Sequence, residues 1–231
     1  MSRELGGIKM KLTVKIRLKQ LKKETLFEAY KKEEVLSYCQ RCSNYSSNFS
    51  CPDFKFDAAR YLEFYNYAAV IMTEIDTQPI KAQMDNLKAA DFKSRVFKNN
   101  MKGKPDEQVN ISSVISMYAF NDVKDQMADK LIEIEKGMDG VIGLPPGSCT
   151  RCEACCKQQG KPCIHPDTLR YSLEALGFKV SDIYKQCFDL ELVWTKDVLP
   201  AALYSCSALM TKEKISESMI LDKLNGMVLY L

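Results

Sequence analysis

The chain has 231 residues, 46% apolar and 27% charged, an ordinary globular balance with enough length to bury a real core. A net charge of +3 is too small to argue for nucleic acid. The amino terminus lacks an apolar targeting segment and no stretch approaches the ~20 apolar residues of a membrane span, so the expected setting is the reducing cytoplasm, where ten cysteines point to metal chemistry rather than disulfides.

Residues 8–19 alternate. Ile8, Met10, Leu12, Val14, Ile16 and Leu18 share one side, and Lys9, Lys11, Thr13, Lys15, Arg17 and Lys19 the other. Period two over this length predicts a half-buried strand. Its cationic side is either plainly solvated or a docking face for an acidic redox partner. Residues 24–38 read as a helix leading into Cys39, followed by a polar loop over 43–50 that ends at Cys51 and Pro52. Asp57 is placed to cap a helix through Tyr65. Residues 67–75, with the apolar run Ala68–Met72, are expected to be a buried strand.

Residues 80–100 read as helix and 102–106 as a surface turn. From 111 to 136, Val114, Ile115, Tyr118, Val123, Met127, Leu131 and Ile134 recur near helical spacing, with Gly137 as the stop. Residues 141–144 make a short strand that delivers the chain to Pro145, Pro146 and Gly147. Pro166 suits a first turn, so 167–178 are expected to be helical, with another short helix after Ser181. Residues 190–194 and 199–209 look strand-like, and 212–231 suit a helix or a helix plus strand. The mixture predicts one α/β domain over residues 1–231, with α+β as the neighbouring class. It would have a central mixed sheet flanked by helices, and the cysteine loops gathered at one end.

Five cysteines fall within residues 149–163. Cys149, Cys152, Cys155 and Cys163 form C-x2-C-x2-C-x7-C, the crowded spacing by which short loops bring several thiolates to one iron–sulfur cube. Pro162 precedes the last cysteine and the gap is longer than in bacterial ferredoxins, which lets Cys163 return to the same cluster. Arg151, Lys157, Lys161 and Arg170 lie near an anionic centre, and a helix starting at Pro166 would aim free N–H groups at its sulfurs. Zinc is the competing ion, although structural zinc usually takes two separated pairs. Cys156 is an alternative to Cys155, a ligand of a second centre, or a bystander.

Cys39-x2-Cys42-x8-Cys51-Pro52 is a second constellation. Its three local thiolates would leave one position for Cys156, His165, water or substrate. Alternatively Cys39 and Cys42 pair with Cys149 and Cys152 around one zinc. Tyr38, Tyr45 and Phe49 are expected to shield the site, and Cys187, Cys206 and Trp194 to be core. His165, the only histidine, is either a helix-entry residue or one that donates to sulfur or shuttles a proton. No phosphate loop, dinucleotide fingerprint or Ser/His/Asp set is present.

These two blocks resemble the DUF2284 family of predicted metal-binding proteins. One runs from Cys39-x2-Cys42-x2-Tyr45 to Ser50-Cys51-Pro52. The other comprises Gly147-Ser-Cys149-x2-Cys152-x2-Cys155, Gly160-Lys-Pro-Cys163-x2-Pro166 and Arg170-Tyr-Ser-Leu-Glu174-Ala-Leu-Gly177. The resemblance implies a cysteine-ligated metal or iron–sulfur centre in proteins of bacteria and archaea, many of them anaerobic, with no settled reaction. Asp53 stands where the family tends to have a second proline, and Cys156 is an additional thiol. The leading expectation is a cytoplasmic iron–sulfur protein with one or two 4Fe–4S clusters, working in electron transfer or redox chemistry with a partner protein. The alternatives are a zinc-stabilised interaction module and a metal or cluster chaperone.

Overall fold

The computed structural model describes residues 11–86, 110–192 and 198–230. Five strands, β1 (Lys11–Lys22), β2 (Tyr67–Asp76), β3 (Val141–Leu144), β4 (Ala202–Thr211) and β5 (Val228–Tyr230), form one sheet in the order β3-β4-β2-β1-β5. The expected central sheet with flanking helices is present. All its pairings are antiparallel rather than mixed in direction, the α+β form of the expected class.

The alternation in β1 survives intact. Leu12 and Val14 are buried while Lys15, Arg17 and Lys19 are exposed. Residues 8–10 of the expected strand lie outside the described residues. On the cationic side Lys15 pairs with Glu74 at 3.3 Å, and the Arg17 guanidinium lies 5.5 Å from the Phe188 ring centre.

Strand β2 is central and buried on both faces, which explains its unbroken apolar run. Ala69, Ile71 and Ile75 point to one core, and Ala68, Val70 and Met72 to the other. Each of Val70, Ile71 and Met72 is fully buried and contributes about 1.5–3 kcal/mol. Four short helices flank this framework early in the chain: α1 (Lys23–Phe27), α2 (Lys32–Cys39), α3 (Ala58–Tyr61) and α4 (Gln78–Lys81). They are followed by the long α5 (Ile111–Lys136), then α6 (Val180–Phe188) and α7 (Glu217–Leu224). The first core packs α5 and α7 on the sheet; the second packs α1 and α6 on its other face.

Several local expectations change under tertiary contacts. The single helix over 24–38 is two, because Lys31 N–H donates to Gly177 O at 3.0 Å and Lys179 N–H to Ala29 O at 2.9 Å. This bridge between Tyr30 and Phe178 interrupts the helical ladder. Asp57 does accept from Ala59 N–H at 2.7 Å, but the helix it begins stops at Tyr61. Of the helix over 80–100, α4 and a 3-10 turn at Met84–Asn86 are seen; the rest, and the turn at 102–106, lie outside the described residues. Asn110 caps α5 by accepting from Ser112 N–H at 2.8 Å, and the helix ends at Gly137 as expected. The carboxy-terminal segment is a helix plus a strand. Leu190 and Leu192 are not in a strand, while residues 193–197, including Trp194, lie outside the described residues.

The expected helix over 167–178 is absent. Pro166–Thr168 form one 3-10 turn, and the chain then runs through turns to Gly177. Ser172 Oγ accepts from Ala175 N–H at 3.1 Å, and Phe178 N–H reaches Leu173 O at 2.9 Å. Those bonds close turns and leave Phe178 free to bridge Tyr30. Gly177 sits at φ +99, where a Cβ would lie 3.1 Å from Lys32 Cα.

Candidate metal centre

Helix α2 ends on Cys39, and successive turns carry the chain to Cys51. Cys42 N–H donates to Cys39 O at 2.9 Å, Tyr45 N–H to Cys42 O at 3.0 Å, and Cys51 N–H to Asn48 O at 3.2 Å. Asn48 and Ser50 are buried, unusual for polar loop residues. They are satisfied locally: Asn48 Oδ1 accepts from Ser50 N–H at 3.0 Å and Ser50 Oγ at 2.9 Å.

The second segment leaves β3 through Pro145, Pro146 and Gly147. Gly147 adopts φ +66, and a Cβ there would meet Lys124 Cδ at 3.2 Å and Phe120 at 3.5 Å. Both ends of this segment are tied to Glu135 near the end of α5. Its Oε2 accepts from Gly143 N–H at 3.0 Å and from Arg170 Nε at 2.8 Å, and its Oε1 pairs with the other arm of Arg170. Between these anchors the chain has little support. No residue from 151 to 167 is buried. Cys156–Gln159 make a 3-10 turn ended by Gly160 at φ +67. His165 backbone N–H donates to Cys163 Sγ at 3.4 Å, so the peptide rather than the exposed imidazole meets sulfur.

The two segments lie against each other, as the expectation of cysteine loops gathered together required. Asn48 Nδ2 donates to Cys149 O at 2.9 Å, and Cys149 N–H donates to Ser50 Oγ at 2.7 Å. Ser50 Oγ is also 3.9 Å from Cys51 Sγ. One buried hydroxyl thus touches a cysteine of each segment. Asn44 Nδ2 reaches Ser148 Oγ at 3.3 Å, and Lys157 Nζ donates to Asn48 O at 3.2 Å. Within each segment the thiols are in electrostatic reach of one another: Cys39, Cys42 and Cys51 in the first, Cys149, Cys152, Cys155, Cys156 and Cys163 in the second. Among the described residues, however, no three His, Cys, Asp or Glu side chains converge tightly enough to hold a metal ion.

The basic residues flanking the second segment have other partners. Arg151 pairs with Asp129 at 2.5 Å, Arg170 with Glu135, and Lys157 braces Asn48. A further cation at the junction is Lys124 of α5, whose Nζ donates to Ser148 O beside Cys149 and which spacing within the cysteine run did not reveal. Tyr38 is not a shield: it is 50% exposed, with its hydroxyl on Glu34 and its ring under Arg41. A more extensive aromatic group follows Cys51 and Cys163. Phe54 stacks on Phe56 at 4.9 Å, and Tyr171 meets Phe54, Phe56 and Tyr61 at 4.9–5.1 Å. Cys187 and Cys206 are buried in the core as expected.

Eight cysteine thiols, none of them in a disulfide, make a soft donor set suited to iron–sulfur clusters or zinc, so the donor chemistry fits a thiolate-ligated metal. Burial favours the protonated form of Cys39, Cys51, Cys149 and Cys152. Burial pushes Cys51 from an ordinary 9.0 up to about 11, only partly offset by the Ser50 hydroxyl. Burial also raises Cys149, opposed by the Arg151 backbone N–H and the charges of Arg151 and Lys124. Metal binding must therefore displace protons. A cavity of about 280 Å³ opens beside Cys149, walled by Lys124, Asp125, Asp129, Arg151 and Arg170.

Among the described residues no helix is long and apolar enough to cross a membrane. No curated protein and no solved structure matches the chain. The family model for DUF2284, described as a predicted metal-binding protein, matches residues 28–207, a span that holds both cysteine segments, and the chain belongs to that family.

Proposed function

We propose that the chain is an iron–sulfur protein of a single domain, exchanging electrons with a partner protein in the cytoplasm. In this reading Cys149, Cys152, Cys155 and Cys163 hold one 4Fe–4S cluster. Cys39, Cys42 and Cys51 hold a second centre, with Cys156 as its candidate fourth thiol. The observation that carries this reading is the crowding of thiols into residues 151–167, where nothing is buried. Ordering backbone costs about 1–2 kcal/mol per residue, and this run has no apolar burial to offset it. A bound metal can, because its binding free energy becomes folding free energy.

A 4Fe–4S cluster supplies one-electron transfer at a potential set by hydrogen bonds to sulfur and by nearby charge. The protein's part lies in its own groups. The N–H groups of His165 and Arg151 donate to Cys163 and Cys149 sulfur. Phe54, Phe56, Tyr61 and Tyr171 form one ring cluster, whose Tyr171 is in electrostatic reach of Cys163.

One observation favours a second reading. Cys39-x2-Cys42 and Cys149-x2-Cys152 stand on adjoining loops, and two such pairs are the usual holder of structural zinc. Oxygen-free purification followed by iron, sulfide and zinc quantitation, with EPR of the reduced protein, separates the two. Iron and sulfide in equal amounts with a reduced-cluster signal is the expected result. Stoichiometric zinc without iron would overturn it and select the zinc module.

A further inference from the structure

Lys124 is 3% exposed, on the face of α5 turned toward the junction of the two cysteine segments. Lysine is almost never fully buried unless its charge is matched. Here its ammonium has three protons and three acceptors: Ser148 O at 2.8 Å, Thr150 Oγ1 at 3.2 Å and Asp125 Oδ1 at 3.4 Å. Thr150 Oγ1 in turn donates to Asp125. The two residues flanking Cys149 are thus both gripped by one lysine. Its charge is in electrostatic reach of Cys149 and also of Cys51, one thiol from each segment. The charges of Arg151 and Lys157 each bear on one of these thiols, Cys149 and Cys51 respectively, whereas that of Lys124 bears on both, and Arg151 and Arg170 are also paired with Asp129 and Glu135. The partner carboxylate of Lys124, Asp125, is about half exposed, so water screens it more than it screens the ammonium.

The geometry points to Lys124 as a positioning residue that presents one buried positive charge to both thiolate sets, strengthening anionic metal–thiolate binding and raising the reduction potential of the bound centre. This rests on the metal-centre reading above and adds the group that tunes it. Burying a cation beside developing negative charge favours the more negative state, which is the thiolate over the thiol and the reduced over the oxidised cluster. A purely mechanical clamp would hold the loop equally well with the charge compensated, and would leave the potential where it was.

The test uses the full-length, metal-loaded protein in four forms: unaltered, Lys124→Met, Lys124→Arg and Asp125→Asn. Metal affinity is read by competition with a chelator, and the midpoint potential by EPR-monitored titration. Lys124→Met should weaken metal retention and shift the potential to more negative values, and Lys124→Arg should restore most of both. Asp125→Asn, at a partly exposed position, should move the potential the opposite way because it leaves the ammonium less neutralised. If Lys124→Met does not fold, Asp125→Asn carries the test, and an unmoved affinity and potential in it overturn the proposal. Unchanged affinity and potential in Lys124→Met overturn it too, with the metal-centre reading intact. If the unaltered protein retains no metal, that reading fails and this proposal falls with it. If the metal is zinc, affinity alone decides, with loss in the Met variant and recovery in the Arg variant expected.

Discussion

The amino-side cysteine loop is held from within, whereas the carboxy-side run is fixed mainly at its ends and, between them, only by side chains such as Arg151 on Asp129 and Lys157 on Asn48. In the first, Asn48 and Ser50 are buried and bonded to each other, and turns link Cys39, Cys42 and Cys51 in succession. In the second, Glu135 and Lys124 fix the flanks, but nothing between 151 and 167 is buried. One loop is thus organised before any metal arrives, and the other is short of structure that a metal would complete. Pre-organised ligands bind with less ordering cost, so in the proposed reading the first segment would capture the metal and the second would close on it.

The largest expected effect tests that contrast directly. Chelation of the loaded protein should raise trypsin cleavage after Arg151 and Lys157 by an order of magnitude or more, while cleavage after Arg41 changes little. Mass mapping of the fragments measures it. Equal rates at these sites with and without metal would erase the distinction between the loops. A smaller effect is expected at the joint. Ser50→Ala removes the acceptor of Cys149 N–H and a donor to Asn48 Oδ1, both in a buried setting, and should cost about 1–3 kcal/mol in urea unfolding of the metal-free protein. A cost near zero would mean that the segments are joined by something else.

The smallest effect concerns protons. Cys51 is raised from 9.0 to about 11 in the folded chain, so the metal-free fold binds its proton more tightly than the unfolded chain does. The resulting stability is fully present below pH 9.0 and is lost as pH rises through about 11. Metal binding runs the other way and strengthens as the thiols ionise. Urea midpoints across this window should fall more steeply for the native sequence than for Cys51→Ala. Parallel curves would place Cys51 in a wetter setting than its burial indicates.

How far the sequence carried depended on whether the cause was local. The alternation of Leu12, Val14, Ile16 and Leu18, the apolar run through Met72 and the helical spacing from Val114 to Ile134 each read out directly, because one face of each element meets one layer. The cysteine spacings likewise marked both segments. What escaped was set by distant partners. The break after α1 and the lost helix before Gly177 both come from the Tyr30–Phe178 bridge, whose two residues are separated by nearly two thirds of the chain. Lys124, Glu135, Asn48 and Ser50 look like ordinary polar positions until folding buries or anchors them against cysteines far away in sequence. The sole advance signal was negative: Lys124 lies among the apolar positions of an amphipathic helix, between Val123 and Met127.

Glu135 receives the amide that precedes the cysteine run and the guanidinium that follows it, so both feet of that run stand on a single carboxylate. A span fastened this way can grow or shrink at a cost that rises only with the logarithm of its length, about 0.6 kcal/mol per doubling. The scaffold is therefore nearly indifferent to how many residues separate the thiols. Across related chains, insertions and deletions there should be tolerated by the sheet, so any limit on the spacing of the sulfurs would come from what they bind and not from the socket that presents them.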